Sequence, residues 1–386
     1  MCCSPAEVGR AHEMTSTYLS PAREELAHRL PPGAQSFVTW LSGIRGSRDP
    51  AARLLSPVEV VGIGVASILV GFALIGLALS LGGIGGGLVY TLGFCFVSGG
   101  MRRLDVLVIH QTLHYKVLET PLANHVLGEV LTTLLLRTPF RENQKSHLMH
   151  HRAPCFEDDA DVLFLRNAGL GLEASRGRLC RRIVLICLSP VFHMRFLAER
   201  LKANFIDARP LYRLALSWAY LAALALPGVF LGSAYYLALG LFWLLPLTIG
   251  FQISNFLYTA SKHRWWAFSN QAIRDREKKD FLSFTRVCCG KAPERDTRVA
   301  WTLWWLRAVS IHLPARLFVV VGDTVHHDLH HIAPNCDWPN SSAERPGYVG
   351  RTPDRFSEVW GGLPAHLSEC NLRENSVRAT DRTVTA

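Results

Sequence analysis

The chain has 386 residues, 49% of them hydrophobic, with 41 Lys and Arg against 31 Asp and Glu and a formal net charge of +10. The positive charge is dispersed and no aromatic-basic binding motif accompanies it, which argues against a nucleic-acid partner. The 10 Cys contain no C-x-x-C, which argues against a zinc ribbon or a thiol redox pair.

That length would suit two or three soluble domains, but hydropathy decides the class. Residues 1–56 are mostly polar, have no apolar core of signal-peptide type and read as a cytosolic N-terminal segment, with a Cys2-Cys3 pair as a weak candidate for acylation. Residues 60–101 and 214–261 contain no Asp, Glu, Lys or Arg. A spanning helix needs about 20 apolar residues, so each run holds two spans. The expected spans are 58–81 and 87–107, crossing through the glycine-rich Gly82 to Gly87, then 211–231 and 235–257, turning near Gly232 and Ser233.

Between the two hairpins, residues 115–210 are basic, and their apolar pieces 131–136 and 183–191 are too short to cross, so they are expected at the membrane surface. Residues 299–322 are apolar but interrupted by Arg307, His312, Pro314 and Arg316, and read as a surface helix pair broken at Pro314, not a fifth span. A membrane domain over 57–335 would then be followed by a cytosolic tail, 336–386, expected to be extended or partly disordered. The hairpin tips lack Lys and Arg while the other connections are rich in them, which predicts cytosolic termini and a cytosolic site.

Histidine carries the chemistry. H-x-x-H-H occurs at His147, His150 and His151 and again at His327, His330 and His331, and H-x-x-x-H at His110 and His114. Chance would supply roughly 0.03 copies of H-x-x-H-H in a chain with this His content. A helix turns about 100° per residue, so each set lies on one stripe and aims its imidazoles together. Eight imidazoles exceed the needs of one zinc, and an all-nitrogen set without thiolates suits a pair of oxygen-activating irons better than magnesium, calcium or an iron-sulfur cluster.

Several neighbours are expected to lie outside the set. His326 should face away from the trio, and His312 and His125 read as structural. Asp328 reads as an exposed helix-surface residue, the alternative being an acceptor behind an imidazole. Glu157, Asp158, Asp159 and Asp161 read as a solvated turn, with carboxylates close enough to His151 to brace an imidazole as the alternative.

The three His motifs, placed around two membrane hairpins, resemble the three His boxes of the membrane fatty acid desaturase and hydroxylase superfamily, over roughly residues 57–335. The resemblance implies an all-α integral membrane protein with four transmembrane helices and a cytosolic helical cap holding a non-haem di-iron site. It implies O2 as cosubstrate and an acyl lipid, acyl-CoA or acyl-carrier-protein substrate. Family members often carry a further His after the fourth span, which makes His263 a ninth candidate ligand. No dinucleotide fingerprint and no cytochrome b5-like His-Pro-Gly-Gly segment is present, so electrons would come from an external donor of ferredoxin, rubredoxin or cytochrome b5 type. The expected reaction is acyl desaturation. Alternatives are lipid or carotenoid hydroxylation on the same scaffold, or a non-enzymatic membrane metal-binding protein, though the uncharged spans disfavour transport.

Overall fold

The computed structural model describes residues 18–173, 175–267 and 275–371; the Cys2-Cys3 pair lies outside them. The described chain is almost entirely helical, and its helices start where the sequence supplies caps. Ser56 begins the first long helix, α3 (Pro57–Leu81), with a reciprocal cap. Its hydroxyl accepts from the Glu59 backbone N–H at 3.2 Å while the Glu59 carboxylate accepts from the Ser56 N–H at 2.7 Å, and Pro57 fills a position that needs no donor. Before it, α1 (Pro21–Arg29) and α2 (Pro32–Ser42) also open on Pro. Buried Arg23 binds Asp49 at 2.6 Å within the polar N-terminal segment, and the Leu55 N–H donates to Asn340 Oδ1 at 2.8 Å, which ties that segment to the body.

Four helices are long and apolar enough to cross a membrane: α3, α4 (Gly83–Leu113), α10 (Leu211–Leu231) and α11 (Ser233–Ala260). The first crossing is shorter than the glycine run suggested. Gly82, at φ 62° and ψ −176°, and Gly83, at φ 56°, turn the chain, and the helix runs on through Gly87; Gly232 repeats the Gly82 conformation at the other tip, at φ 76° and ψ −166°. Only glycine adopts this region without strain. Paired glycines bring α3 and α4 close, since a Cβ on Gly71 would lie 2.7 Å from the Gly93 carbonyl and one on Gly100 2.7 Å from that of Gly64. Apolar side chains stand exposed along the spans, Leu226, Val229 and Phe230 on α10 among them, as suits lipid better than water.

The second span runs on past residue 107, through a π-helical turn at Leu104–Ile109, before it reaches His110. Such a turn inserts one residue into the helical register, so it resets which face presents His110 and His114. Pro246 likewise opens the second of two π-helical turns in α11, Gly240–Leu244 and Pro246–Gly250, a position that tolerates its missing N–H.

The segment between the hairpins forms α5 (Pro121–Leu134), α6 (Phe140–Arg152), α7 (Ala160–Asn167), α8 (Arg176–Leu188) and α9 (Pro190–Phe205). After the fourth span come α12 (Arg276–Leu282), β1 (Thr285–Val287) and α13 (Arg298–Phe318). Pro314 does not break α13, because a π-helical turn at Ala308–His312 precedes it and leaves Pro314 in the first turn of the next helical piece. The direction changes later, by 101°, before the 3-10 turn Gly322–His326 that leads into α14 (His327–Ile332).

Residues 336–371 are not an extended tail. They form α15 (Ser341–Arg351), β2 (Glu358–Trp360) and α16 (Gly362–Cys370), and β2 pairs in parallel with β1, Thr285 opposite Glu358 and Val287 opposite Trp360. Arg345 ties the segment inward, 3.0 Å from Glu358 and 3.5 Å from buried Asp328. The main core gathers Leu107, Val108 and Ile109 of α4 with Phe251 of α11 and Val320, Val321 and Val325 beside α14, directly under the histidines.

Candidate metal centre

Four pieces of chain deliver the histidines to one place. The end of α4 carries His110 and His114, α6 carries His147, His150 and His151, α14 carries His327, His330 and His331, and His263 lies just beyond α11. His263 is held by an isolated antiparallel bridge to Ser283, whose hydroxyl lies 3.1 Å from its Nδ1. The acidic turn after α6 is not wholly solvated. Asp159 is buried, accepts from the backbone N–H groups of Cys155 and Asp161, and takes the Nδ1–H of His150 at 2.7 Å.

All nine imidazoles point Nε2 inward and divide into two groups. His110, His114, His147, His151 and His330 form one; His150, His263, His327 and His331 form the other; within each, the ring nitrogens lie within 4.8 Å of one another. In the first group His110 and His330 are 2.8 Å apart and His114 and His147 2.7 Å; in the second, His263 lies 3.0 Å from His150 and 2.9 Å from His327. The two H-x-x-H-H motifs divide alike: the i, i+4 pair stays together and the i+3 imidazole crosses over. Thus His330 joins the His147 and His151 pair, and His150 joins the His327 and His331 pair.

Where the charged form of a ring is disfavoured, burial is the first cause, and for most of these rings crowding of ring on ring is the second. His147, His263, His327, His330 and His331 are pushed well below the ordinary imidazole range, and His151 to about 2. Burial, with Lys116 nearby, pushes His114 to about 4. Neutral imidazole is the form that binds metal. Nine imidazole donors exceed one tetrahedral zinc, and the pure nitrogen set within each group suits a transition metal such as iron, zinc, copper or nickel better than a hard cation.

The neighbouring residues lie elsewhere. His326 is in neither group: Ser341 Oγ sits 2.7 Å from its Nδ1 and the Gly43 carbonyl 2.9 Å from its Nε2. His125 meets the Tyr212 hydroxyl at 3.1 Å, and His312 is buried against Gly362. Asp328 is not a surface residue, and among the described residues its hydrogen bonds go to Thr285, the Leu329 N–H and Arg345 and not to an imidazole; it is fully buried and accepts from the Thr285 hydroxyl at 2.7 Å, anchoring α14 to β1. Ser283 went unnoticed in the sequence, because nothing in the pattern marks a serine 20 residues beyond His263 as its partner.

A cavity of about 520 Å³ opens beside the two groups, bordered by His110, His147, His150 and His327, with Val106, Ile109 and Phe164 among its apolar walls. A partly apolar cavity beside two all-imidazole groups can hold a small hydrophobic substrate next to the position a transition metal would occupy.

No curated protein matches the chain. The family model for fatty acid desaturase matches residues 85–355, a segment that contains every one of the nine histidines. The chain therefore belongs to the fatty acid desaturase family and is an oxidoreductase of the desaturase or hydroxylase type that modifies lipid.

Proposed function

We propose that the protein is an oxygen-dependent membrane fatty acyl desaturase whose nine histidines, His110, His114, His147, His150, His151, His263, His327, His330 and His331, hold two irons. The observation that carries this reading is the convergence of nine Nε2 atoms in two groups beside one cavity. Two irons held there would supply the oxidising power to take hydrogen from an unactivated C–H bond. In the net reaction two hydrogens leave adjacent carbons, and dioxygen, two electrons and two further protons become two waters.

The chain's own part is to bind and orient. Asp159, which can only accept, fixes the tautomer and plane of His150, and the Ser283 hydroxyl steadies the plane of His263, so both rings keep Nε2 toward the centre. Lys262 is paired with Asp161 at 2.5 Å, which offsets a buried positive charge that would otherwise oppose a cation next door. Val106, Ile109 and Phe164 exclude water from one side of the cavity. Electrons come from an external donor of ferredoxin, rubredoxin or cytochrome b5 type, and the substrate is an acyl chain on lipid, CoA or carrier protein.

In the cell, residues 57–335 would form the catalytic membrane domain, with the flanking segments 1–56 and 336–386 and the His groups on the cytosolic side. That orientation is supported by the absence of Lys and Arg from both tips. A tag at Gly82 or Gly232 should react with an impermeant reagent from outside, whereas labelling of the α6 to α7 connection from outside would reverse the orientation.

Lipid profiling after expression in a host that lacks the activity tests the reaction. A new unsaturated acyl species supports desaturation, a hydroxylated species assigns the same scaffold to hydroxylation, and an unchanged profile with a competent electron donor present would contradict both.

A further inference from the structure

The cavity beside the histidines has a second end, and its chemistry differs. Arg102 of α4 lines it and is fully buried. One guanidinium nitrogen, Nη1, donates to Asp105 Oδ2 at 2.8 Å and to Asn255 Oδ1 at 2.9 Å, while Nε and Nη2 have no partner. Arg137 Nε lies 2.9 Å from the other oxygen of Asp105. Arg200 completes the cluster, and its donors go to the backbone carbonyls of Leu135, Leu136 and Leu247, which solvate its charge without neutralising it.

Three guanidinium groups therefore share one carboxylate at a buried end of the cavity. The remaining acids on its walls do not correct the balance there: Asp159 is taken by His150, Asp161 by Lys262, and Glu142 and Glu199 are exposed. A buried cationic cluster with free N–H donors is complementary to an anion, because guanidinium donors bond most strongly to charged oxygens.

Along α4 the cavity is lined in order by Arg102, Asp105, Val106, Ile109, His110 and Leu113. At about 1.5 Å per residue, roughly 12 Å of helix axis separates Arg102 from His110, and beyond Asp105, whose carboxylate is held by Arg102 and Arg137, the lining side chains Val106 and Ile109 are apolar. We infer that the Arg102 and Arg137 end of this cavity binds the anionic head of the substrate, a carboxylate or a phosphate, with the alkyl chain running past Val106 and Ile109 to His110. The inference rests on the reading of the two His groups as the reaction centre. It narrows the substrate to an amphiphile with a compact anionic head, oxidised at a carbon remote from that head.

Binding, not turnover, is the test. The metal-loaded full chain in uncharged detergent, without oxygen or reductant, is titrated with dodecanoic acid, dodecyl phosphate and methyl dodecanoate. The acid or the phosphate should bind about 10-fold or more tightly than the ester, the gain expected of a charge-assisted hydrogen bond; whichever of the two binds better identifies the head. Arg137→Gln, at a half-buried position, should erase the preference by lowering the affinity for acid and phosphate to that for the ester. Asp105→Asn should strengthen the preference, an opposite sign that general damage would not produce.

Equal affinity for acid and ester in the parent protein, or a preference that survives Arg137→Gln, overturns the assignment. A protein that keeps the preference but oxidises nothing would sink the desaturase reading alone. An active protein that favours the ester would sink this inference alone.

Discussion

His150 donates its Nδ1–H to Asp159 Oδ2 at 2.7 Å, and among the described residues it is the one imidazole of the nine whose outer nitrogen bonds to a carboxylate. Removing that charge leaves the ring free to turn and makes its Nε2 a poorer donor. Asp159→Asn should therefore weaken metal binding at the His150, His263, His327 and His331 group by about 10- to 100-fold. Chelator competition on the purified protein measures this, and unchanged affinity would mean that the contact is structural only.

His326 tests the distinction between ligand and neighbour. Its two nitrogens are spent on Ser341 and the Gly43 carbonyl, so His326→Ala should keep the full metal content. It strips partners from buried polar groups, which should cost about 1–3 kcal/mol of stability, read by thermal or denaturant unfolding in detergent. A variant that loses metal at unchanged stability would reassign His326 to the centre.

The crossed division of the two H-x-x-H-H motifs predicts that adjacent substitutions strike different metals. His330→Ala should deplete the group of five, and His331→Ala the group of four, which is left with three imidazoles and should lose its metal more completely. Mössbauer spectra of enriched iron would show loss of different components from the two variants. Loss of the same component from both would refute the division.

Spacing made the His sets, the two hairpins and the tight tips readable, because each depends on local periodicity and composition. His263 needed more than spacing: it is a lone histidine, and only its position after the fourth span singled it out. Asp328 and Asp159 were misread for one physical reason. Acidic residues in polar sequence are usually solvated, and what buries these two is a partner far along the chain or a turn geometry, Thr285 for one and the His150 ring for the other. Residues 336–371 carry four Pro and little periodicity, yet they fold because β2 finds β1 and Arg345 finds Asp328 and Glu358. Such long-range partners are invisible to a window of neighbouring residues.

Close backbone approach in the first hairpin gives a stability test independent of metal. A methyl group at Gly71 would meet the Gly93 carbonyl at 2.7 Å, whereas one at Gly62 on the same helix meets nothing within 4 Å. Gly71→Ala should cost about 1–3 kcal/mol through overpacking, and Gly62→Ala should be neutral or slightly stabilising. Unfolding of both variants in one detergent compares them directly, and equal stability would mean that α3 and α4 are not packed as described.

Metal analysis of the protein purified in mild detergent and reconstituted with ferrous iron under anaerobic conditions tests the central claim most directly. Two groups of converging imidazoles, five and four in number, predict close to two irons per chain and little zinc. A single tightly held zinc, with iron absent after reconstitution, would contradict it.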